Sequence, residues 1–259
     1  MSTASLVAHQ ARYDLRVFLR DPRARGFTLA LPLLLLLLFG YIFRHEVFKY
    51  TGVSIPGDSY YLPRMIVLGI ASVTLSNLVV VLVAKRETGA LKRRRATPVQ
   101  PVVLIGGDVI TSEVSALAIV VVLSVVGWAV FGVHQTAAGA GAVIVTAVIG
   151  TAALCGVAYA VATLIKSIDA AGPLVMLIMF TLNAISGIYI PENLFPAWLR
   201  DIAQVLPIRP LAVAMQAAFD PRTNGGRLFA WPDLLIVAAW GVAGALFAVR
   251  RFSWSPSQA

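Results

Sequence analysis

Charged residues are scarce in this 259-residue chain. They make up 13% of it, whereas 59% of the residues are apolar, and the mean hydropathy is +0.83. A soluble domain carries about twice this share of charge, so the composition excludes an ordinary soluble fold. Because several apolar runs are long enough to cross about 30 Å of hydrocarbon, we expect one all-α membrane domain.

Cysteine and the reactive motifs of enzymes are also nearly absent. Cys155 is the only cysteine, so no disulfide can form within the chain. His9, His45 and His134 lie in separate predicted loops, which argues against a metal site. There is no G-x-S-x-G motif, and His45-Glu46 lacks the second histidine of H-E-x-x-H. We therefore expect no enzyme activity of the chain itself.

The chain contains no phosphate-binding loop of the form G-x-x-x-x-G-K-[ST]. Its glycine-rich stretch 139–141 lies in an apolar run without a following lysine. Small residues there favour close helix packing, as do Gly150, Gly156, Gly241 and Gly244. Any use of ATP would therefore require a partner that binds and hydrolyses the nucleotide.

The net charge of +9 comes from basic clusters beside apolar runs rather than from a basic surface with stacking aromatic residues. We therefore predict no nucleic-acid partner. The clusters fit the positive-inside rule, because the segments predicted to be cytoplasmic hold 14 of the 21 Lys and Arg residues. This places both termini of a multi-pass protein in the cytoplasm.

Six apolar runs predict six transmembrane helices. They cover residues 27–43, 61–84, 109–133, 138–165, 172–190 and 234–249. Between the first two runs we predict a polar connection, with Tyr60 and Tyr61 at the outer membrane interface. We assign residues 27–252 to one membrane domain and residues 253–259 to a short cytoplasmic tail.

Residues 1–26 are predicted to form an amphipathic helix that lies on the membrane. Arg12, Arg16 and Arg20 recur every four residues and form one stripe, and Asp21-Pro22 ends the helix. A solvated basic tail is the alternative.

Residues 191–229 differ from the other connections because apolar side chains mix with Pro191, Pro196, Pro207 and Pro210, and no piece is long enough to span the bilayer. This pattern favours a re-entrant or interface-lying helical hairpin on the outer side. A structural extracellular loop is the alternative.

Four polar residues lie inside or near the predicted spans: Asn77, Asp108, Glu113 and Asn183. Such residues are candidates for lining a transport pathway. Asp108 and Glu113 are close to the cytoplasmic end, where water can reach them, and packing polarity is an equal alternative. Asn77 and Asn183 could instead form hydrogen bonds between helices.

The connection between spans two and three, predicted at residues 85–101, contains Arg86-Glu87-Thr88-Gly89-Ala90-Leu91 and then Thr97-Pro98. This pattern resembles the cytoplasmic coupling-helix region of ABC-2 type transporter permeases. The resemblance extends in order along nearly the whole chain. Its other parts are Arg20-Asp21-Pro22, residues 186–191 (SGIYIP), Pro196-Ala197-Trp198-Leu199 and the final Arg250-Arg251-Phe252.

The resemblance implies a six-helix permease with an N-terminal interfacial helix and a re-entrant segment between helices five and six. It implies a dimer, here expected to be a homodimer, with two ABC ATP-binding subunits at the cytoplasmic face of a bacterial plasma membrane. ATP and magnesium would bind at those partner subunits, and no cofactor would bind this chain. The chain is most similar to the drug-resistance branch, so the implied cargo is a drug or lipid-like compound. A permease for lipid-linked polysaccharide or glycolipid is the alternative within transport, and a membrane enzyme or scaffold is the alternative outside it.

The resemblance also implies roles for particular residues. Contact with the ATPase would involve Arg86, Glu87, Gly89, Leu91, Thr97 and Pro98. The re-entrant gate would involve Ser186, Gly187, Pro191, Pro196 and Trp198. For the connection, a second interpretation is that the basic run 92–95 binds anionic lipid headgroups, which is worth about 1 kcal/mol per basic residue. Both roles can coexist.

Overall fold

The computed structural model describes residues 3–20, 22–89 and 101–251, and most of them are helical. The elements in chain order are α1 (Thr3–Arg20), α2 (Pro22–Ile42), β1 (Val47–Tyr50), β2 (Val53–Pro56), α3 (Gly57–Ala71), a π-helical segment (Ser72–Leu78), α4 (Val79–Glu87), α5 (Pro101–Phe131), α6 (Ala137–Leu164), α7 (Ile168–Ile185), α8 (Ala197–Val205), α9 (Ile208–Phe219) and α10 (Trp231–Arg251). Short 3-10 turns cover Glu192–Leu194 and Pro221–Asn224. The predicted all-α membrane fold is confirmed.

Within these described ranges, five helices are long and apolar enough to cross a membrane. They are Gly57–Glu87, Val103–Phe131, Ala137–Leu164, Ile168–Ile185 and Trp231–Arg251. In the first predicted span, α2 has a shorter apolar stretch, Thr28–Ile42, about 22 Å long at 1.5 Å per residue. Helices α8 and α9 turn by 84° at their junction, and counting them as one broken span would give a sixth.

The central element is the continuous rod formed by α3, the π-helical segment and α4. It spans 31 residues, and 78% of its most apolar window is buried. A helix that is apolar all round packs on every side, and the core residues of this rod contact the surrounding helices. The wider π turn is accompanied by hydroxyl groups that bond the backbone one turn earlier, from Ser72 to Leu68 O and from Thr74 to Ile70 O.

The bundle has a basic end and a hairpin end. The basic end holds the C-termini of α4, α6 and α10 and the N-termini of α5 and α7. The hairpin end holds β1, β2 and the segment from Gly187 to Phe219. Helices α6 and α10 run parallel between them, and no Cβ separates their backbones where Gly156 lies against Gly241 and Gly244. The predicted role of small residues in close packing applies here.

The polar connection predicted between the first two spans is instead a β-hairpin. Val47–Tyr50 pairs antiparallel with Val53–Pro56 around a turn in which Thr51 and Gly52 have φ of 47° and 81°. Tyr60 and Tyr61, which were predicted at the outer interface, are 2% and 0% exposed, so protein surrounds their rings. Their rings pack against Phe48, which stands on the hairpin. The hairpin therefore covers these rings, and this contact cannot be predicted from the apolar run alone.

The N-terminal helix forms over Thr3–Arg20 and packs against the start of α5. Gly106 and Gly107 allow this approach, because a Cβ there would meet Val7 at 3.2 Å and Gln10 at 2.6 Å. Thr111 Oγ1 donates a hydrogen bond to Ala11 O at 3.3 Å. One face of α1 is thus held by protein at the basic end.

Helices α8 and α9 have 9 and 12 residues, so neither is long enough to cross hydrocarbon alone. Helix α9 is almost entirely buried and packs on α3, α6 and α10. Helix α8 exposes Trp198, Ile202 and Val205, which share one face at spacings of four and three. An exposed apolar stripe of this kind is typical of a helix at a membrane interface.

Candidate functional site

At the basic end, Arg86 is buried near the end of α4, with 5% of its surface exposed. Its Nη1 donates to Ala162 O at 3.2 Å, and its Nη2 donates to Ile165 O. These carbonyls belong to the end of α6 and the residue after it, where a helix leaves backbone acceptors unpaired. The guanidinium therefore joins α4 to α6 and does not lie on the surface.

Glu87 joins α4 to the next helix. Its carboxylate accepts a hydrogen bond from Ile168 N at 2.6 Å, at the first residue of α7. A carboxylate at a helix N-terminus also interacts favourably with the helix dipole. Ser167 accepts from Ala170 N at 3.3 Å and caps the same turn. Glu87 remains exposed, so it contacts α7 and is also accessible from outside.

The rest of the predicted coupling set is only partly described. Gly89 ends the α4 rod with φ of +67°, a conformation that favours glycine. Leu91, Thr97 and Pro98 lie outside the described residues. The structure thus brings Arg86 and Glu87 together with the connection between α6 and α7.

At the hairpin end, Arg64 is fully buried in α3. Its Nε donates to Gly187 O at 3.1 Å, and its Nη1 donates to Tyr60 O at 3.0 Å and to Gln216 Oε1 at 2.8 Å. The guanidinium carbon lies 3.4 Å from the ring centroid of Tyr60 and 5.3 Å from that of Tyr50. These contacts tie the central rod to the end of α7, to α9 and to the β-hairpin.

Glu192 is the acid that faces this arginine. Its Oε1 lies 4.0 Å from Arg64 Nη2, and its Oε2 lies 2.8 Å from Arg209 Nη2. One carboxylate thereby bridges α3 and α9. Burial raises the pKa of Tyr50 on the hairpin to about 12, and the positive charge of Arg64 opposes part of that shift.

The predicted gate residues surround this bridge to different extents. Gly187 has φ of +75°, and a Cβ there would lie 2.6 Å from Glu192 Cγ, so only glycine fits. Ser186 is fully buried, and Pro191 is buried beside Glu192. Pro196 and Trp198 are exposed at the start of α8, away from the bridge. We call Arg64, Glu192 and Arg209 the outer latch.

The outer latch is the feature that sequence reasoning missed. Arg64 lies inside the predicted span 61–84, and a charge within a span is by itself a functional candidate. That signal was available. The partner was not, because Glu192 is 128 residues away and nothing in the sequence pairs its carboxylate with Arg64.

The four polar pathway candidates do not form one site. Asp108 is 6% exposed rather than open to water, and it binds Lys85 Nζ at 2.7 Å and the Tyr159 hydroxyl at 2.8 Å. Glu113 is half-buried, with one oxygen that has no hydrogen-bond partner among the described residues. Within those residues, no three His, Cys, Asp or Glu side chains are placed to hold a metal ion.

The two asparagines do not show the bonds between helices that were expected as one alternative. Asn183 is fully buried, and its Nδ2 donates to Met179 O of its own helix at 2.7 Å. Its Oδ1 has no hydrogen-bond partner among the described residues. Asn77 is half-buried in the π-helical segment.

A cavity of about 770 Å³ lies between α5, α6 and α10, on the side of the bundle. Its walls are apolar except at the basic end, where Asp108 and Tyr159 reach it. This volume is within the range of small-molecule sites.

The side chains described above link the helices of the bundle at both of its ends. Two buried arginines and two carboxylates connect the central rod to its neighbours at both ends. A search of curated proteins finds no match to the chain. The family model for ABC-2 type transporters matches residues 8–219, from α1 to the end of α9. The chain therefore belongs to the ABC-2 type transporter family, as a transmembrane permease subunit of an ABC transporter.

Proposed function

We propose that the chain is the permease of an ATP-driven exporter that moves hydrophobic or amphipathic compounds, such as drugs or lipid-like molecules, out of a bacterial cell. In this proposal the basic end faces the cytoplasm, both termini lie there, and two ATP-binding subunits hold the ATP and magnesium. The placement follows from the basic residues near this end, which include Lys85, Arg86, Arg250 and Arg251.

The observation that carries the proposal is the position of Glu87. It is exposed at the end of α4, and its carboxylate holds the first turn of α7. Arg86 beside it holds the end of α6. A partner that displaces the connection after α4 would therefore pull on three membrane helices at once. This is what coupling to an ATPase requires.

The outer latch supports the second part of the proposal, a gate at the opposite end. Arg64 holds the proline-rich segment 191–229 against the central rod through Gln216 and Glu192. Because α8 and α9 are too short to span and meet at 84°, we propose that they form a re-entrant hairpin. In this proposal the hairpin covers the outer end of the bundle when the gate is closed.

We propose a homodimer in which α7 faces a second copy. One side of α7 packs on α4 and the π-helical segment. The other side exposes Leu174, Met176, Leu177 and Phe180, and only 22% of its most apolar window is buried. A pathway between two copies would then be lined by α7 and bordered by the central rod.

The test is transport into inside-out vesicles that contain the permease and the ATP-binding subunit encoded beside it. The cargo panel includes cationic, neutral and anionic amphiphiles and a lipid-linked glycan. We expect ATP-dependent uptake of an amphiphile. In Glu87→Ala, ATP hydrolysis should continue while uptake falls at least about fivefold, because loss of one charged hydrogen bond weakens the link by about 1 kcal/mol or more.

Glu46→Ala is the matched control, because Glu46 is an exposed glutamate at the hairpin end. It should leave both ATP hydrolysis and uptake unchanged. If no cargo is taken up in an ATP-dependent way, the export function is wrong. If Glu87→Ala transports as well as the control, the coupling role of Glu87 is wrong even where export is confirmed.

A further inference from the structure

The lateral cavity between α5, α6 and α10 has no part in the coupling link or the outer latch. Its floor is α6, and it stays open because small residues line the facing helices, including Ala152 and Gly156 on α6 and Gly241 and Ala245 on α10. Side chains of this size leave the space between α5 and α10 unfilled. The opening lies on the outside of the bundle, where Val242 and Val249 are 60% and 79% exposed.

The cavity is elongated along the bundle. On α6 its lining extends from Val148 to Tyr159, and on α10 from Ala238 to Val249. Eleven residues correspond to about 16 Å at the helical rise, which is about half the thickness of the hydrocarbon core. The cavity therefore extends from the basic end to near the middle of the bilayer. This is the depth that one leaflet occupies.

The polar groups are found at one end of the cavity. Asp108 lies in the wall at the basic end, and Tyr159 is beside it. An amphiphile in the leaflet at this end has the same arrangement, because its headgroup is at the surface and its tail is at the midplane. The cavity and such a molecule therefore match in length and in polarity.

The charge at the polar end selects the sign of the headgroup. Among the described residues, Asp108 and Asp14 both face Lys85, at 2.7 and 3.6 Å, and this group of two carboxylates and one ammonium carries a net charge of −1. Within the described part of the chain, each oxygen of Asp108 accepts one hydrogen bond, from Lys85 or from Tyr159. A carboxylate has about four acceptor positions, so capacity remains for a cation. An anionic headgroup in the cavity would meet the carboxylate of Asp108.

We propose that this cavity binds a cationic amphiphile from the leaflet at the basic end, with its cation at Asp108 and its tail along α6 and α10. The assignment of this leaflet to the cytoplasm rests on the proposed function, but binding itself does not require the ATPase. The site would hold a cargo before export.

The experiment is photoaffinity labelling of the purified permease in nanodiscs of zwitterionic lipid, with no ATPase present. The probe is a dodecyl chain with a quaternary ammonium headgroup and a photoreactive diazirine near the end of the chain. Competitors with the same chain carry a quaternary ammonium, a phosphocholine, a maltoside or a sulfate headgroup. We expect labelled peptides from α6 and α10 and displacement at the lowest concentration by the quaternary ammonium.

Three variants separate the charge from the shape of the site. Asp108→Asn should lower the affinity for the cationic competitor at least about tenfold, since a charge-assisted contact is lost. The affinity for the maltoside should stay unchanged. Ala245→Leu should lower the affinity for both competitors, because the larger side chain fills the cavity. Ala243→Leu is the matched control, because Ala243 is an exposed alanine on the same helix that does not line the cavity.

The proposal is overturned if the label lies outside α5, α6 and α10, or if the maltoside or sulfate competes as well as the ammonium. It is also overturned if Asp108→Asn, confirmed as folded by size-exclusion chromatography, binds the cation as the wild type does. None of these results bears on ATP-dependent transport, so they are distinct from a failure of the proposed function. Preference for phosphocholine over the simple ammonium would identify a bilayer lipid instead and refute selection by net charge.

Discussion

Replacing Glu192 by glutamine removes one charge from the outer latch and keeps the shape of the side chain. Its Oε1 lies 4.0 Å from the fully buried Arg64, and unit charges at this distance interact by about 4 kcal/mol at an effective dielectric constant near 20. The partly exposed pair with Arg209 adds about 1 kcal/mol. Glutamine retains a hydrogen-bond acceptor, and Arg64 keeps its three acceptors and the Tyr60 ring.

We therefore expect Glu192→Gln to lower the free energy of unfolding by about 3 kcal/mol, within the range for breaking a buried ion pair. At 2–4 °C per kcal/mol for a chain of this size, the melting temperature should fall by about 6–12 °C. The assay is thermal unfolding of the purified permease in detergent, followed by intrinsic fluorescence.

Two companion variants make the result specific. Arg209→Gln leaves Glu192 facing Arg64 and should lower the melting temperature by only about 2–4 °C, because that pair is partly exposed. Glu46→Gln changes an exposed glutamate and should shift it by less than about 2 °C. If Glu192→Gln melts no lower than Arg209→Gln, then Glu192 does not stabilise the buried Arg64 and the latch is wrongly assigned.

Three further variants test other contacts by the same assay. Gly156→Ala should lower the free energy of unfolding by about 2–3 kcal/mol, because its Cβ would lie 2.2 Å from Gly241 O. A Cβ at Gly141 on the same helix would meet nothing within 4 Å, so Gly141→Ala should not lower that free energy. Equal stability of the two would refute the close approach of α6 and α10. Arg86→Lys should cost about 2 kcal/mol, because one ammonium cannot satisfy both carbonyls in the geometry of a guanidinium; an unchanged melting temperature would argue against the clamp. The raised pKa of Tyr50 gives stability that is complete below pH 10 and is lost as the pH rises towards 12, about 1.4 kcal/mol at pH 11. Tyr50→Phe should therefore lose about 3–5 °C less than the wild type between pH 8 and pH 11, and an equal loss would contradict that titration.

Hydrophobic runs predict the membrane helices well because a span needs about 20 apolar residues and few other structures do. The predicted runs 138–165 and 234–249 lie within a few residues of α6 and α10. The predicted and observed boundaries differ where a helix continues beyond its most apolar run. Helix α5 begins at Pro101, although its apolar span was predicted from residue 109, because its first two turns pack against α1. Local hydropathy does not include that tertiary contact.

The candidate site was predictable only in part, for a different physical reason. Motif resemblance located Arg86 and Glu87, but it implied contacts with a partner, and their contacts within the chain are with α6 and α7. The distant partners 162, 165 and 168 contribute backbone groups, which every residue has. A sequence carries no signal for which carbonyl or amide a side chain will reach, so such links are visible only in three dimensions.

The two sets of contacts are placed on one rod, and this placement restricts how α7 can move. Arg64 and Glu87 are 23 residues apart on the central rod, which is about 34 Å along a helix. Glu87 binds the first residue of α7, and Arg64 binds Gly187 O, two residues after its end. Helix α7 is therefore fixed to the rod at both ends, while the π-helical segment lies between the two links. A rigid rod would move α7 as one body, whereas a change at the π segment would shift one end against the other. Because π turns differ from α turns by one residue of register, we infer that this segment is where the distance between the two links can change.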